Sequence, residues 1–582
     1  MGEVVGRIVE VSGLKIKARL FHLLPPYLTK NGKRESSPKI NAYVKTKIGL
    51  DTIICQVDGE YSVEREDKVE DHFLDLSVKG YLDNGVFVQG LRVLPIVSAN
   101  IELLEEKDLL CIYADKQQND IELGNDIFDE SKKIRVSLNK LIPSHIGVFG
   151  NTGSGKSNTI AKILSLYSDA LIASNSHVAK YIVIDLNNEY GGDSICLETN
   201  KIIYKLSTNK DSARKIPLKI EDLTEDDFVV LMNASQKTQV PVVKTAFRNM
   251  MDPKDKGFYL NYLKGIIKNG RKVLLNSMKH HIGCYLLGID DLKWHSKSQV
   301  FYIEPEGQHA VYANNKAFDQ YLNDIDIKLP EDKLDRFLFE LYFAIASENE
   351  NGVNLDFLMP LASRAQKLTS DFKKVFDFSR SFNDIFDSKQ KNITIVQLAN
   401  VNKDMREIIP SIIATNVFNI LQKHKEEKDE ITQVVSIVVD EAHNILYEDS
   451  SSKPTHSTIL EAFERVVKEG RKFGMFLMLA SQRPSDISPT IISQLHNYFI
   501  HKLVNPSDIA IIRKAVAYMD EKSMDFVTIL SPGECIVSGT AFQMPTFVYV
   551  SQLEVDKRPK SENVILFGKN GLLKRKEEDN DL

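Results

Sequence analysis

The chain has 582 residues, 43% hydrophobic and 26% charged, the composition of an ordinary globular protein too long for one compact domain. Lys+Arg number 74 against 80 Asp+Glu, a net charge of −6, so no overall basic character marks a nucleic-acid binder, although a basic channel on an acidic body stays open. Five scattered cysteines without a CxxC pair exclude a disulfide scaffold and point to reduced thiols in a cytosolic compartment.

The N-terminal MGEVVGRIVEVSGLKIKARL lacks the apolar core of a signal peptide, and Gly6 stands where a myristoylation signal needs Ser or Thr. No apolar run approaches the roughly 18–20 residues needed to cross a bilayer, so a cytoplasmic protein is expected. Over 1–105, short alternating runs broken by glycine, such as VVGRIVEVSG and GVFVQGLRVLP, predict a small β-barrel. The polar, acidic stretch KQQNDIELGNDIFDESKK that follows reads as a spacer. Across 140–214 the pattern changes: HIGVFG runs into a glycine-rich turn, NTIAKILSLYS has helical spacing, and YIVID is a second apolar strand. Residues 215–388 show helical patterns without such strands and predict a helical insertion. ITIVQLAN, VVSIVVD and MFLMLAS, separated by helices, resume the sheet within 389–550, and 551–582 form a charged C-terminal extension.

Gly150-Asn151-Thr152-Gly153-Ser154-Gly155-Lys156-Ser157 satisfies G-x-x-x-x-G-K-[ST] between a predicted strand and a predicted helix. Glycines let backbone N–H groups wrap a β-phosphate, and the helix N-terminus adds its positive dipole end. Lys156 is placed to reach the β- and γ-phosphates, Ser157 to ligate Mg²⁺, and Asn158 to complete the ATP-binding run. Such a loop needs an acidic partner at the end of another buried strand. Asp440, emerging from VVSIVV, is expected to hold Mg²⁺, and Glu441 to orient and deprotonate the attacking water. The fold class expected is therefore α/β, a RecA-like P-loop core with a parallel, doubly wound sheet that hydrolyses ATP.

Asp440-Glu441-Ala442-His443 spells the label of a large helicase group, but the spacing argues against a two-lobed enzyme. Lys156 and Asp440 lie 284 positions apart, and the sequence after Glu441 is too short for a second lobe. Instead HIGVFGNTGSGKSNT, VIDLNNEY, VVDEAHN, KEGRKFG and LASQRPSDISPTIISQLHN, in this order, resemble the HerA branch of the HerA–FtsK ring translocases. The likeness takes in 1–100, 141–205 and 390–550; within the insertion it extends only to SRAQKL around Arg364. It implies a homohexameric ring with ATP at each subunit boundary and an arginine donated across that boundary. Arg471 is the candidate arginine, with Arg465 as the fallback; a solvated helix end is the competing reading. Gln482 resembles the γ-phosphate-sensing position, with a plain turn residue as its alternative. Asp185 and Glu189 match an acidic strand-end motif, where capping a loop is the competing role.

Residues 237–279 carry ten lysines and arginines against Asp252 and Asp255, a candidate contact for phosphate or an acidic partner, or else a solvated helical face. His280, His281, Cys284 and His295 fit no standard zinc spacing and read as ordinary helix residues. The resemblance implies double-stranded DNA as substrate, threaded through the ring, with a nuclease or sirtuin-like effector docked on the barrel side. The long insertion and modest size fit a bacterial antiphage-defence variant. Two functions follow, both using Lys156, Asp440 and Glu441. One is an ATP-driven DNA translocase or helicase in DNA end processing or antiphage defence. The other is an ATP-gated scaffold that assembles and activates an effector with little translocation.

Overall fold

The computed structural model describes residues 3–560 apart from 26, 31–32, 38–39, 67–69, 114–119, 131, 175–178, 236–237, 307–308, 386–390, 449–453, 517–518 and 520. Strands β1 (Val4–Ser12), β2 (Lys15–Leu20), β3 (Tyr43–Ile48), β4 (Asp51–Glu64), β5 (Glu70–Asp83), β6 (Val86–Gln89) and β7 (Asn100–Leu103) build the N-terminal unit. Alternation sends Val5, Ile8, Ile16, Val44, Ile53, Val57, Leu74 and Leu76 to one interior. The order β2-β1-β7-β3-β4-β5 closes through antiparallel pairing of β2 with β5, Ile16 opposite Leu76. The result is a six-stranded barrel with β6 paired to the end of β5. Closure removes the open edges along which sheets aggregate.

A second sheet is formed by β8 (Asp120–Asp126), β9 (Lys133–Ser137), β10 (Ile146–Phe149), β11 (Ala179–Asp185), β12 (Lys201–Ser207), β13 (Ile393–Asn400), β14 (Val434–Val439), β15 (Met475–Ser481), β16 (Asn497–Ile500), β17 (Glu534–Gly539) and β18 (Thr546–Val550). Its order is β9-β8-β18-β17-β16-β10-β15-β14-β11-β13-β12. From β16 to β12 every neighbouring pair is parallel; from β16 outward to β9 the pairs are antiparallel. Parallel strands are covered on both faces, which is why β10 and β15 read as unbroken apolar runs and are buried throughout. Helix α1 (Lys156–Ser174) packs Ile160, Ile163 and Leu164 on one face, against Val148, Val548 and Val550. On the other face Ile182, Ile184 and Ile437 share a core with Phe337 and Phe339 of the insertion.

Two sequence readings change. The stretch expected to be a spacer contributes strand β8, hydrogen-bonded between β9 and β18. Leu123, Gly124 and Asp126 are buried while Glu122 and Asn125 stay half-exposed, so its polar residues look like a loop. Gly124 is required there, since a Cβ would stand 2.0 Å from the Tyr549 carbonyl oxygen. The insertion is built on helices Glu225–Leu231, Gln239–Met251, Lys256–Lys268, Lys272–Ile282, Lys333–Glu350 and Leu355–Val375. It also holds a small sheet of Lys293–His295, Val300–Ile303 and Val311–Tyr312, strands too short for alternation to register. Among the described residues, no helix is long and apolar enough to cross a membrane.

Candidate nucleotide site

The parallel strands bring their C-terminal ends to one edge of the sheet, and the sequence motifs gather there. After β10 the chain folds over the start of α1 through a tight loop. At Gly150 a Cβ would meet Ser154 Oγ and His501 Cβ, each at 2.6 Å, and Gly155 has φ +115°, so neither position accepts a side chain without strain. The loop is tied down by Asn151 N donating to Lys502 O (2.8 Å) and Gly533 N donating to Ser154 O (2.8 Å). Lys156 is buried and donates to Asn151 O at 3.2 Å. Burial lowers its pKa, and the carboxylates of Glu441, Asp440 and Glu189 oppose that shift.

Asp440 follows β14 and is 4% exposed. Its Oδ1 accepts from Glu441 N (2.9 Å) and its Oδ2 from the Tyr190 hydroxyl (2.8 Å). Burial raises the pKa of both Asp440 and Glu441. Glu441 has φ +50°, a left-handed conformation that costs a non-glycine residue about 1 kcal/mol or more. Its Oε2 lies 3.3 Å from His443 Nδ1, without a properly directed hydrogen bond. His443 Nδ1 is also 3.3 Å from Ser481 Oγ, and burial lowers the ring's pKa. Gln482 Oε1 accepts from Thr152 Oγ1 at 2.6 Å, which links the end of β15 to the loop.

Asp185 acts as a loop cap: its carboxylate accepts from Glu189 N (2.9 Å), Tyr190 N (3.0 Å) and Gln397 Nε2 (3.3 Å). Glu189 instead lies beside Ser157 at the helix start, with its pKa raised by burial and by Asp440. Lys156, Ser157, Asp440, Glu441 and Gln482 therefore share one edge, with Asn158 half-buried in the first turn of α1. Arg471 does not join them. It is exposed in the turn Gly470–Phe473, which enters β15 from its N-terminal end, whereas Gln482 follows the C-terminal end. A seven-residue strand separates the two by roughly 20 Å. Arg465 is engaged internally, its guanidinium 4.0 Å over the Phe418 ring and bonded to Gln422 Oε1 at 3.3 Å.

Two residues that sequence reasoning passed over hold this site together. Tyr190 stands in VIDLNNEY, beside the acidic residue that drew attention. His501 follows the strand β16; its Nδ1 donates to Glu534 O (2.8 Å), so the neutral Nε2 accepts from Thr159 Oγ1 (3.0 Å). Burial pulls its pKa down to about 4, which keeps the ring neutral under the loop. Nothing local in the sequence announces a contact with a residue 342 positions away.

Four of the ten basic residues of 237–279 pair closely with acids elsewhere in the insertion. Arg248 pairs with Glu225 (2.6 Å), Lys244 with Asp226 (2.8 Å), Lys256 with Asp326 (2.7 Å) and Lys268 with Asp319 (2.6 Å). Lys237 lies outside the described residues. His281 bonds to Tyr342 and Ser277, and His295 to Ser298.

The residues at the edge fit a magnesium nucleotide. Ser154 Oγ, Glu189 Oε2 and Glu441 Oε2 are buried without a hydrogen-bond partner among the described residues, beside a cationic lysine and a helix N-terminus. Among the described residues, no group of three or more His, Cys, Asp or Glu forms a closed metal cage. A hydroxyl and one carboxylate completed by substrate phosphates is the ligand set Mg²⁺ prefers. The central-domain model of the HerA helicase family matches residues 121–417, just over half of the chain. The chain belongs to the HerA helicase family. It is accordingly an ATP-hydrolysing enzyme of the helicase type. The DNA double-strand break repair helicase HerA of Sulfurisphaera tokodaii is 24% identical over 529 residues, covering 90% of this chain and 80% of that protein. Its namesake in Pyrococcus furiosus is 23% identical over 442 residues, 74% of this chain and 69% of that protein. Among solved structures, VirB4 of Thermoanaerobacter pseudethanolicus aligns at 13% identity and a TM-score of 0.43, over 76% of this chain and 99% of that one.

Proposed function

We propose that the chain is one subunit of a homohexameric ring that uses ATP and Mg²⁺ to translocate along or unwind double-stranded DNA. On this reading it works with a nuclease or other effector in DNA end processing or antiphage defence. One observation carries the ring: the nucleotide edge holds Lys156, Asp440, Glu441 and Gln482, while Arg471 projects, exposed, from the opposite edge. An arginine there serves a neighbour's nucleotide and not its own. The DNA substrate is supported by the relatives, which are named as DNA double-strand break repair helicases. A docked effector is supported by the barrel, where Leu91, Val93, Leu94, Ile96 and Val97 are all exposed within one short segment.

The loop's backbone N–H groups and the start of α1 bind the phosphates, and Lys156 compensates their charge. Ser157 and Asp440 would hold Mg²⁺, which would neutralise phosphate oxygens. Glu441 takes the proton of the attacking water; its raised pKa makes it the stronger base. The Gln482–Thr152 hydrogen bond ties the γ-phosphate end of the loop to β15, and the other end of β15 leads back to Arg471. One rigid strand thus links a subunit's own phosphate to the arginine it offers its neighbour.

The deciding experiment measures steady-state phosphate release with and without linear duplex DNA, for the wild type and Lys156→Ala. Strong stimulation by duplex, lost in the variant, is expected. Hydrolysis indifferent to duplex but switched on by an effector protein would move the function to the ATP-gated scaffold.

A further inference from the structure

The site fixes which way a nucleotide must lie. Asp440, Glu441 and Gln482 stand at the ends of β14 and β15, on one side of β10, so the γ-phosphate points that way. The nucleoside therefore leaves on the other side, over β16, β17 and β18. At that edge the turn Ser531–Glu534 is held rigidly. Gly533 N donates to Ser154 O (2.8 Å), Val550 N donates to Gly533 O (3.0 Å), and Ser531 N donates to Glu534 Oε2 (2.7 Å).

Beyond the turn comes an aromatic ring. A Cβ on Gly155 would lie 3.1 Å from Gly533 Cα, and a Cβ on Gly533 would lie 2.9 Å from the Tyr549 ring. Gly155, Gly533 and Tyr549 thus follow one another in van der Waals succession away from the phosphates. In β18 the residues Thr546, Phe547, Val548 and Val550 are buried, whereas Tyr549 is 37% exposed. Its backbone is set between Glu534 and Asn125 of the flanking strands, so the ring is carried by sheet and not by a loose loop.

We propose that Tyr549, backed by the Pro532–Gly533 turn, is the platform on which the base of the bound nucleotide stacks. The inference rests on the ATPase reading and adds the residue that distinguishes a nucleoside triphosphate from bare polyphosphate. A flat π-face grips any purine by stacking, and loss of such a contact weakens binding by about 10-fold or more. Its work is done in ground state and transition state alike, so it moves KM and leaves the chemical step to Glu441.

The test uses the full-length protein with Mg²⁺ and two probes, ATP and inorganic tripolyphosphate, on wild type, Tyr549→Ala, Tyr549→Phe and Lys156→Ala. Tyr549→Ala is expected to weaken ATP about 10-fold and raise KM by the same factor, with tripolyphosphate binding unaltered. Tyr549→Phe, which keeps the ring, restores ATP binding to within about twofold. ATP and tripolyphosphate weakened equally, which is what a disturbed loop produces, overturns the platform; so does unchanged ATP binding in Tyr549→Ala. Wild type that binds neither probe, or binds both as well as Lys156→Ala does, overturns the nucleotide site itself.

Discussion

Tyr190→Phe deletes one hydroxyl and keeps the ring, so it isolates a single hydrogen bond. That bond, 2.8 Å to Asp440 Oδ2, joins a fully buried tyrosine to a carboxylate 4% exposed. A hydrogen bond to a charged group is worth about 1.5–3 kcal/mol. Asp440 would keep the Glu441 N–H on Oδ1 and lose the donor that fixes Oδ2. A loss of that size in the transition state lowers kcat roughly 10- to 100-fold. The Mg²⁺ concentration for half-maximal activity should rise, while KM for ATP moves little because Lys156 and the loop are untouched. Phosphate release measured across a Mg²⁺ titration, with a thermal melt as a folding control, decides the matter. A folded Tyr190→Phe with wild-type kcat and Mg²⁺ response would show that the backbone alone orients Asp440.

Glu441→Gln should retain ATP binding and lose about 100-fold or more in turnover; nucleotide retained on a filter beside a near-wild-type kcat would refute the general-base role. Inactive Arg471→Ala subunits mixed with inactive Lys156→Ala subunits should recover part of the ATPase activity, because each supplies what the other lacks. No recovery, with rings intact by light scattering, removes Arg471 from the boundary. His501 links stability to pH. Its folded pKa of about 4 lies below the ordinary histidine value near 6.5, so between these the unfolded chain binds a proton that the folded chain refuses. Stability is therefore intact above about pH 6.5 and lost as pH falls towards 4, by up to about 3 kcal/mol from this residue. Urea midpoints at pH 7 and pH 5 should differ less in His501→Gln than in wild type; equal differences would refute the assignment.

How much was legible in the chain depended on how local each feature is. The phosphate loop is eight consecutive residues whose backbone demands select glycine, and the parallel strands are apolar runs because both faces are covered. Asp440 was legible because a carboxylate ending the run VVSIVV has few places to be except a strand tip. The family resemblance and the barrel were read from the same kind of short-range pattern.

Other features needed the assembled fold. Strand β8 passed for a spacer because a strand at the antiparallel end of the sheet keeps polar residues on its open side. The charge surplus of 237–279 was real in sequence, and four of its ten cations pair in space with Glu225, Asp226, Asp319 and Asp326, some of them far along the chain. Tyr190 reaches Asp440 across 250 positions and His501 reaches Thr159 across 342, distances over which no periodicity carries information. Sequence by itself determined the nucleotide chemistry and the sheet that presents it, since both rest on neighbouring residues. Only the tertiary structure decided which side chains brace that chemistry and that Arg471 faces away from it, because a sheet edge is assembled from strands remote in the chain.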